Sequence, residues 1–356
     1  MSKKKSIKVL VFLYLVLITI SVRAENFKLK GLVLEFEAGE IPQSIVYGHS
    51  KKTVYVLTQK NIYTLENNKL SKYYSAEHSI YCGYSNDSSL WIGTDSGVEI
   101  IRIKDKFHYK IVLDSVVKSY KVISIFSNNK DSVFLATDAY GIYKGRSSQS
   151  FEKVSTLFPI NKGINTADSS IWIATDVGLF RNKKNEWIRY NEEGVANFEI
   201  PDNIVQNLIV DEFGFLWVLM RDGVSVIEVK DYRQKNVHHN EEEHGHLPSV
   251  EFIGYRDNTI YDLAYFKNNG YVFTTDKGVL WMPLKSDEEL LESFHHGHEE
   301  KVGNKELLIK LNTSDINKAI GKILFLVQNK KTTCFIGEKG SYLLEGKDMK
   351  ELLSTK

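Results

Sequence analysis

The sequence predicts an all-β fold, a seven-bladed β-propeller with four antiparallel strands in each blade. Three observations lead to this prediction. A strand–turn–strand phrase recurs along the chain, its copies are spaced at the length of a propeller blade, and strand-like segments flank the copies on both sides. Internal repeats decide the architecture, so the other features of the sequence are interpreted within that frame.

The repeated phrase is clearest at 90–98, Leu-Trp-Ile-Gly-Thr-Asp-Ser-Gly-Val, and at 171–179, Ile-Trp-Ile-Ala-Thr-Asp-Val-Gly-Leu. Weaker copies begin at Val54, Val133, Leu216, Tyr271 and Thr333. Each copy is a β-branched and aromatic run, a short polar stretch with Gly or Asn, and a second apolar run. That pattern is typical of two antiparallel strands joined by a tight turn. The small residue before the turn, as at Gly93 and Gly337, indicates close approach of a neighbouring sheet.

The spacing of the copies decides the fold. The first five starts are separated by about 36 to 45 residues, and the last two steps are about 55 and 62 residues long. A four-stranded propeller blade takes about 40–45 residues, so the longer steps indicate insertions. The sequence places these near 233–250 and 286–306.

The flanks supply the remaining two strands of each blade. Predicted innermost strands precede four of the phrases, at 120–126, 204–210, 259–266 and 319–327. Predicted outer strands follow four of them, at 70–74, 107–113, 151–154 and 187–190. Residues 26–38 alternate well enough to form a further strand, which we expect to close the ring against the last blade. The tail at 349–353 either adds an outer strand to that blade or frays.

Residues 1–24 read as a secretory signal peptide, with four early lysines, an apolar run at 9–22 and Ala24 at the cleavage position. An uncleaved membrane anchor is the alternative. Residues 25–356 are then expected to form one propeller domain without a transmembrane span, exported to the periplasm or the cell surface. The net charge of +1 gives no electrostatic case for binding nucleic acid.

Cys82 and Cys334 fall in blades two and seven, which are not neighbours in a ring of seven. We therefore expect two buried free thiols rather than a disulfide.

The stretch 187–226 carries a resemblance to a known family. It contains Trp-Ile-Arg-Tyr-Asn at 187–191, Asp-Asn-Ile-Val-Gln-Asn-Leu at 202–208 and Asp-Glu-Phe-Gly-Phe-Leu-Trp at 211–217, and ends in Arg-Asp-Gly-Val at 221–224. These words resemble the two-component-regulator propeller repeat, known from periplasmic sensor regions of bacterial hybrid histidine kinases. The resemblance implies a propeller for binding, and the matching residues are structural ones.

The two insertions hold seven of the ten histidines. These are His238, His239, His244, His246, His295, His296 and His298. Together with nearby glutamates they are candidate ligands for a divalent transition metal such as Zn, Cu or Ni. The alternative is a pair of solvated loops that bind no metal, since no spacing matches a known ligand pattern. No other cofactor is predicted.

Catalysis is not predicted. The repeated acids Asp95, Asp138, Asp176, Asp222 and Asp276 are explained by turn chemistry. A nucleophile motif such as Gly-x-Ser-x-Gly does not occur, and no acid pair is placed for glycoside hydrolysis, although a glycan-active enzyme stays a minor alternative.

Seven tyrosines fall at inner strands, turns or hairpins, and we expect most of them between blades and a few around the central channel. They are Tyr47, Tyr63, Tyr81, Tyr120, Tyr140, Tyr261 and Tyr265. The predicted function is a binding or scaffold module that contacts an envelope or outer-membrane protein, in secretion, outer-membrane transport or surface assembly. The alternative is a propeller that senses or captures a polysaccharide or oligosaccharide.

Overall fold

A computed structural model shows how the repeats assemble. It describes residues 31–48, 52–111, 113, 120–127, 132–146, 151–157, 159–183, 186–192, 200, 202–221, 224–229, 249–250, 258–284, 308–329 and 331–354. Residues 1–24 and all seven histidines of the insertions lie outside these ranges, so the signal peptide and the metal site stay predictions.

The described strands form seven four-stranded antiparallel sheets, which confirms the predicted fold. Each sheet is one blade. Blade 1 holds β2 (Pro42–Tyr47), β3 (Val54–Thr58), β4 (Asn61–Glu66) and β5 (Lys69–Ser75). Blade 2 holds β6 (Ile80–Ser85), β7 (Ser89–Thr94), β8 (Gly97–Arg102) and β9 (His108–Ile111). Blade 3 holds β10 (Val122–Ser127), β11 (Val133–Thr137), β12 (Ile142–Gly145) and β13 (Glu152–Ser155). Blade 4 holds β14 (Ile160–Asn165), β15 (Ile171–Thr175), β16 (Gly178–Lys183) and β17 (Glu186–Tyr190).

The last three blades depart from this regularity. Blade 5 holds β18 (Val205–Val210), β19 (Phe215–Met220), β20 (Val224–Glu228) and β21 (Ser249–Val250). Blade 6 holds β22 (Ile260–Phe266), β23 (Gly270–Thr275), β24 (Gly278–Met282) and β25 (Ile309–Lys310). Blade 7 holds β26 (Ile323–Gln328), β27 (Thr332–Gly337), β28 (Gly340–Glu345) and, as its outer strand, β1 (Leu32–Glu35).

The ring closes through β1, as the sequence predicted for the segment before blade 1. Leu32 lies opposite Leu343 and Glu35 opposite Gly340, so an N-terminal strand completes the C-terminal blade. This pairing covers the edge of β28, which would otherwise present unpaired backbone groups.

Two helices correct the sequence-based assignment. Helix α1 (Ser314–Ile320) occupies the first part of the predicted strand 319–327, and the strand itself starts at Ile323. Helix α2 (Gly346–Ser354) replaces the strand or frayed tail predicted at 349–353. The physical reason is that both helices bury an apolar stripe between blades 6 and 7, through Ile316 and Ile320 in α1 and Met349, Leu352 and Leu353 in α2. None of the described helices is long and apolar enough to cross a membrane.

The core lies between the blades rather than at the centre of the ring. Trp91, Trp172 and Trp217, the tryptophans of the repeated phrase, are at most 1% exposed and pack into clusters between neighbouring blades. At Gly93 the backbone of blade 3 approaches so closely that a Cβ would lie 2.8 Å from the carbonyl oxygen of Val122. This confirms the predicted close approach of the neighbouring sheet. Both cysteines are buried and free, also as predicted.

Candidate binding site at the channel mouth

The innermost strands β2, β6, β10, β14, β18, β22 and β26 all begin at the same face of the ring. Their first residues pair with the last residues of the second strands, as Ile80 does with Thr94. The turns between second and third strands lie at this face too, and we call it the turn face. The opposite face, where first strands connect to second strands, is called the loop face.

Each innermost strand carries a β-bulge directly after its first residue. The register shifts between Pro42 and Ser44, Ile80 and Cys82, Val122 and Ser124, Ile160 and Lys162, Val205 and Asn207, Ile260 and Asp262, and Ile323 and Phe325. A bulge redirects side chains and strengthens strand twist. Seven bulges at one level therefore set two rings of side chains around the channel near the turn face: the bulged residues and the residues that follow them.

The residues that follow the bulges connect neighbouring blades. Ser124 Oγ donates to Gly163 O at 3.1 Å and accepts from Gly163 N at 3.0 Å. Asn207 Nδ2 donates to Tyr261 O at 3.0 Å, and Asp262 Oδ2 accepts from Leu326 N at 2.9 Å. Each bond joins one blade to the next, so this ring holds the inner ends of the blades together.

Lys162 and Asp262 place opposite charges inside this ring. Lys162 belongs to blade 4, yet the charge of Asp262 in blade 6 acts on it. Blade 6 does not adjoin blade 4, so this interaction runs across the central channel. Burial lowers the pKa of Lys162, and the negative charge of Asp262 opposes that effect. Lys162 makes no hydrogen bond or ion pair with another described residue, and it is partly buried.

Asp262 has a buried carboxyl group that accepts hydrogen bonds from two blades. One comes from Leu263 N in blade 6 and the other from Leu326 N in blade 7. The residue is 9% exposed, and burial raises its pKa to about 7, against the effects of hydrogen bonds from Leu326 N and Leu263 N and of Lys162. Its charge therefore changes near neutral pH.

The most polar part of the channel rim is the cluster of Tyr261, Asp276 and Lys322. Tyr261 is the bulged residue of blade 6, Asp276 lies in the turn after β23, and Lys322 precedes β26 of blade 7. The three side chains are mutually hydrogen-bonded, and Lys322 Nζ also lies 4.6 Å from the centroid of the Tyr261 ring. Burial, the largest influence, would raise the pKa of Asp276, but hydrogen bonds from Lys322, Tyr261 and Thr259 lower it to about 2. Asp276 and Lys322 are thus both ionised at neutral pH.

Repeat-equivalent residues form a second such contact. Tyr81 is the bulged residue of blade 2, and the Nζ atom of Lys121, which precedes β10 of blade 3, lies 3.9 Å from its ring centroid. In blade 4 the bulged residue is Asn161, whose Nδ2 donates to Asp176 Oδ1 at 2.7 Å and to Val205 O at 2.9 Å. The rim of the channel is therefore lined by aromatic, amide and charged groups from at least three blades.

In the described turns after β7, β15 and β23 the repeated aspartate lies in the turn, but its side chain does not make the hydrogen bonds that hold the turn, which corrects the sequence-based interpretation. The preceding threonine does so: Thr94 Oγ1 donates to Gly97 O at 3.0 Å and accepts from Ser96 N at 3.1 Å. Thr175 and Thr275 repeat this arrangement. The aspartate side chains contact other residues instead. Asp276 and Asp176 bind rim residues, and Asp95 lies 3.3 Å from His78. Asp138 is exposed in its turn, and Asp222 lies outside the described residues.

A cleft opens beside the Tyr261 cluster, between blades 6 and 7. Its volume is about 590 Å³, within the range of small-molecule and peptide sites. One wall is the turn at 275–279, the other is the segment 310–314 with Asn317 of α1, and Lys322 and Ile323 line the inner end.

The predicted tyrosines divide between core and channel. Tyr63 and Tyr120 are buried, and Tyr265 packs against the core between blades 5 and 6. Tyr81 and Tyr261 lie at the rim, and Tyr140 is exposed in the turn of blade 3. Tyr47 is 45% exposed at the loop-face end of β2, where it lines a small cavity of about 60 Å³ between blades 1 and 7.

The insertions with the predicted metal ligands follow β20 and β24 in the sequence. These strands are third strands of adjacent blades, and both end at the loop face. No group of three or more potential metal ligands occurs among the residues the structure describes. The histidines themselves lie outside those residues, so the metal site stays untested.

Sequence reasoning missed Lys162, Asp262, Lys121 and Lys322 as site residues. Each lies within two residues of the start of an innermost strand in the structure, but no innermost strand was predicted around Lys162, and Asp262 and Lys322 lie three residues into their predicted strands. The alternation of side chains along a regular strand does not place these residues in the channel, because their orientation depends on the bulge.

Comparison with known proteins supports the fold. No family profile matches the chain, and no curated protein matches it in sequence. Among solved structures, it is similar to the extracellular domain of the putative one-component system BT4673 from B. thetaiotaomicron, with a TM-score of 0.63 and 15% identity over 90% of this chain. The chain spans 40% of the length of that domain. The resemblance to two-component-regulator propellers is thus confirmed at the level of the fold.

Two other propellers illustrate the range of this fold. YCF48 bound to D1 peptide matches with a TM-score of 0.58 and 12% identity, covering 90% of this chain and 96% of that one. Virginiamycin B lyase from Staphylococcus aureus matches with a TM-score of 0.53 and 10% identity, covering 89% and 99%. Binding propellers and an enzyme thus share this architecture, and function has to be argued from the site.

Proposed function

We propose that this chain is a non-catalytic binding module, exported to the bacterial envelope, that holds a partner protein at the turn face of its propeller. The observation that carries the proposal is the rim of the central channel. There Tyr81, Lys121, Tyr261 and Lys322 surround the entrance, and Lys162 and Asp262 lie inside it.

Such a rim fits recognition of a polypeptide. Partly exposed tyrosines supply large contact area with a polar end, and lysines with fixed positions select acidic groups of a partner. The repeat places these side chains at the same level in different blades, so an extended segment crossing the channel mouth meets several of them at once. The solved structure of YCF48 with a peptide is an example of a propeller that binds a polypeptide.

The rim is less suited to a carbohydrate, the alternative ligand. A sugar ring stacks on the open face of an aromatic side chain. In both rim tyrosines one ring face is already covered by an ammonium group, at 3.9 Å for Tyr81 and 4.6 Å for Tyr261. A polypeptide with acidic groups is therefore the better match.

Export to the envelope rests on the N-terminal sequence at 1–24 and on the fold shared with extracellular sensor domains. A role in secretion, outer-membrane transport or surface assembly is proposed from that location. The histidine-rich insertions, which lie outside the described residues, are proposed as a second contact segment.

The test is to cross-link cells that express tagged chain and to identify the proteins that co-purify from the envelope. The rim variant K121E/K322E should lose a specific stoichiometric partner at least about tenfold, because two attractive charges become repulsive. The matched control K267E/K331E changes the same charge at the loop face and should keep the partner. A third variant, which lacks 240–247 and 295–300, tests the insertions.

Two results would contradict the proposal. One is a wild-type chain that carries no stoichiometric partner, which would redirect attention to a soluble ligand and a glycan screen. The other is a partner that survives K121E/K322E but disappears on deletion of the insertions, which would place binding at the insertions instead of the rim.

A further inference from the structure

The seven described innermost strands carry only two charged residues, Lys162 in β14 and Asp262 in β22. Every other residue in β2, β6, β10, β14, β18, β22 and β26 is apolar or neutral. These strands surround the channel. Its wall is therefore neutral except for one cation and one acid, and the surroundings of the two differ.

The carboxyl group of Asp262 is held by the protein itself. Its Oδ1 accepts from Leu263 N at 2.9 Å, and its Oδ2 accepts from Leu326 N at 2.9 Å. Burial raises its pKa to about 7, so only part of its charge is present at neutral pH. Asp262 therefore balances a cation across the channel only in part.

Lys162 differs from residues at the equivalent position of other blades. Four of the residues that follow the bulges bond to the backbone of the next blade, namely Cys82, Ser124, Asn207 and Asp262. Lys162 makes no hydrogen bond or ion pair with another described residue. In blade 4 the contact to the next blade is made by Asn161, whose Nδ2 donates to Val205 O at 2.9 Å. The described contacts thus give Lys162 no part in joining the blades.

The charge of Lys162 faces the channel rather than a neighbouring blade. Burial lowers the pKa of Lys162, and the charge of Asp262, two blades away, opposes that effect across the ring. A partly buried ammonium group without a carboxylate at ion-pair distance costs free energy, and an anion placed beside it recovers part of that cost.

We infer that Lys162 binds a single carboxylate group inside the channel. One ammonium group matches one negative charge, and the acid of Asp262 across the channel disfavours a dianion such as phosphate. Lys162 is the third residue of β14, so it lies about 7 Å from the turn-face end of that strand. A carboxylate reaches it either at the end of a polypeptide chain that enters past the rim or on a small organic acid.

This inference rests on the proposed function and deepens it, because the end of a partner protein's chain would bring its carboxylate to Lys162. The two fail separately. Loss of the cellular partner in K121E/K322E tests the rim, whereas binding of a short peptide by the purified chain tests the channel alone.

The experiment titrates the purified full chain into N-acetyl-tetraalanine and follows the peptide signals by NMR at pH 6. We expect saturable binding at millimolar concentration, at least about tenfold weaker for the C-terminal amide, which carries no charge. K162M should weaken binding at least about tenfold, whereas K162R, which keeps the charge, should stay within a few-fold of the wild type. The control K331M removes one positive charge at the loop face and should bind as the wild type does.

Propionate distinguishes the two sources of the carboxylate. Binding of the peptide several-fold more tightly than propionate supports a chain end as the ligand, because the peptide also contacts the rim. Equal affinity supports the same carboxylate site at Lys162 and assigns it to small organic acids.

The affinity should fall between pH 6 and pH 8. Asp262, whose pKa is about 7, becomes negative over this range and repels a carboxylate, whereas the thiol of Cys82 stays neutral because burial raises its pKa to about 12. His78 contacts Asp95 at the turn face. H78Q should keep the pH dependence, and an affinity that rises with pH would contradict the inference.

Reductive methylation of lysines provides a measurement that does not depend on variants. Saturating peptide should slow the methylation of Lys162, read by mass spectrometry, and leave that of Lys331 unchanged. Equal binding by K162M and the wild type, or equal binding of the peptide and its amide, would overturn the inference. So would the lack of saturation with both the peptide and propionate at high millimolar concentration.

Discussion

The contact between blades 2 and 3 and the contact between blades 6 and 7 use residues at equivalent positions of the repeat, but these residues differ in chemistry. Each contact between neighbouring blades is called a seam. At the seam of blades 2 and 3, Tyr81 meets Lys121, and the residue after the bulge is Cys82, whose thiol lies 3.5 Å from Val122 O. Opposite it, Gly93 leaves only enough room for the backbone of blade 3. This seam is closed by small and weakly polar groups.

At the seam of blades 6 and 7 the equivalent residues are polar. Tyr261 meets Lys322, and Asp262 accepts the backbone N–H of Leu326. Thr274 stands where blade 2 has Gly93, and its Oγ1 donates to Leu324 O at 2.7 Å. The turn acid Asp276 joins the rim pair, and the cleft opens outside it.

The comparison teaches that the repeat determines where a side chain lies, whereas the local residue determines what the seam can do. A thiol whose pKa burial raises to about 12 stays neutral at any physiological pH, as in Cys82. A carboxyl group in the equivalent place is titratable near neutrality, as in Asp262. One seam is structural, and the other is both structural and charged.

The largest expected effect is the pH dependence that Asp262 gives to the second seam. Its pKa is raised from 3.8 to about 7 in the folded chain, so between about pH 4 and 7 the folded state holds a proton that the unfolded state releases. Stability should therefore fall as pH rises through that window, by at most about 4 kcal/mol. D262N should reduce the difference between the free energies of unfolding that urea titrations give at pH 5 and at pH 8.

The matched control for that prediction is C82S at the first seam. Cys82 does not titrate in this window, so C82S should keep the slope of the wild-type chain. A D262N protein with an unchanged slope would show that another group titrates.

The second effect is steric. The variant G93T gives the first seam the threonine that the second seam has at the equivalent position, and T274A removes the hydroxyl group of that threonine from the second seam. G93T should destabilise by about 2–3 kcal/mol, because its Cβ would lie 2.5 Å from Cys82 Sγ and 2.8 Å from Val122 O. T274A should cost only about 1–2 kcal/mol, the loss of one buried hydrogen bond to Leu324 O. Urea unfolding of both proteins measures the difference. T274S, which keeps the hydroxyl, should lie close to the wild type, and a larger cost for T274A than for G93T would reverse the comparison.

The smallest effect is expected at the exposed rim. Asp276 and Lys322 are 35% and 36% exposed, so D276N should cost less than about 1 kcal/mol despite the short contacts. Because the pKa of Asp276 is lowered to about 2, its contribution exists above about pH 4 and is lost as pH falls toward 2. Thermal unfolding of D276N and wild type should therefore converge at low pH. A loss above about 2 kcal/mol at pH 7 would mean that the cluster is structural.

Much of the fold was predictable because one hairpin phrase repeats. The Trp-Ile-small-Thr-Asp word at 91–95 and 172–176 identified second and third strands, and its spacing identified seven blades. The closure by β1 also followed, since an isolated strand before blade 1 has an edge to cover in blade 7. Helix α1 was missed because its apolar residues run directly into β26, so strand and helix could not be separated by pattern.

The binding site was much less predictable. Local sequence determines that Tyr261, Asp262 and Lys322 lie near the start of innermost strands, and that Asp276 follows a strand. Which side chains meet depends on the bulges and on the angle at which seven blades close, and these are set by packing between residues far apart in the chain. The repeat, the blade count and the buried tryptophans follow from the sequence alone. That Lys162 and Asp262 share a channel depends on the tertiary structure, because ring closure brings together residues 100 positions apart.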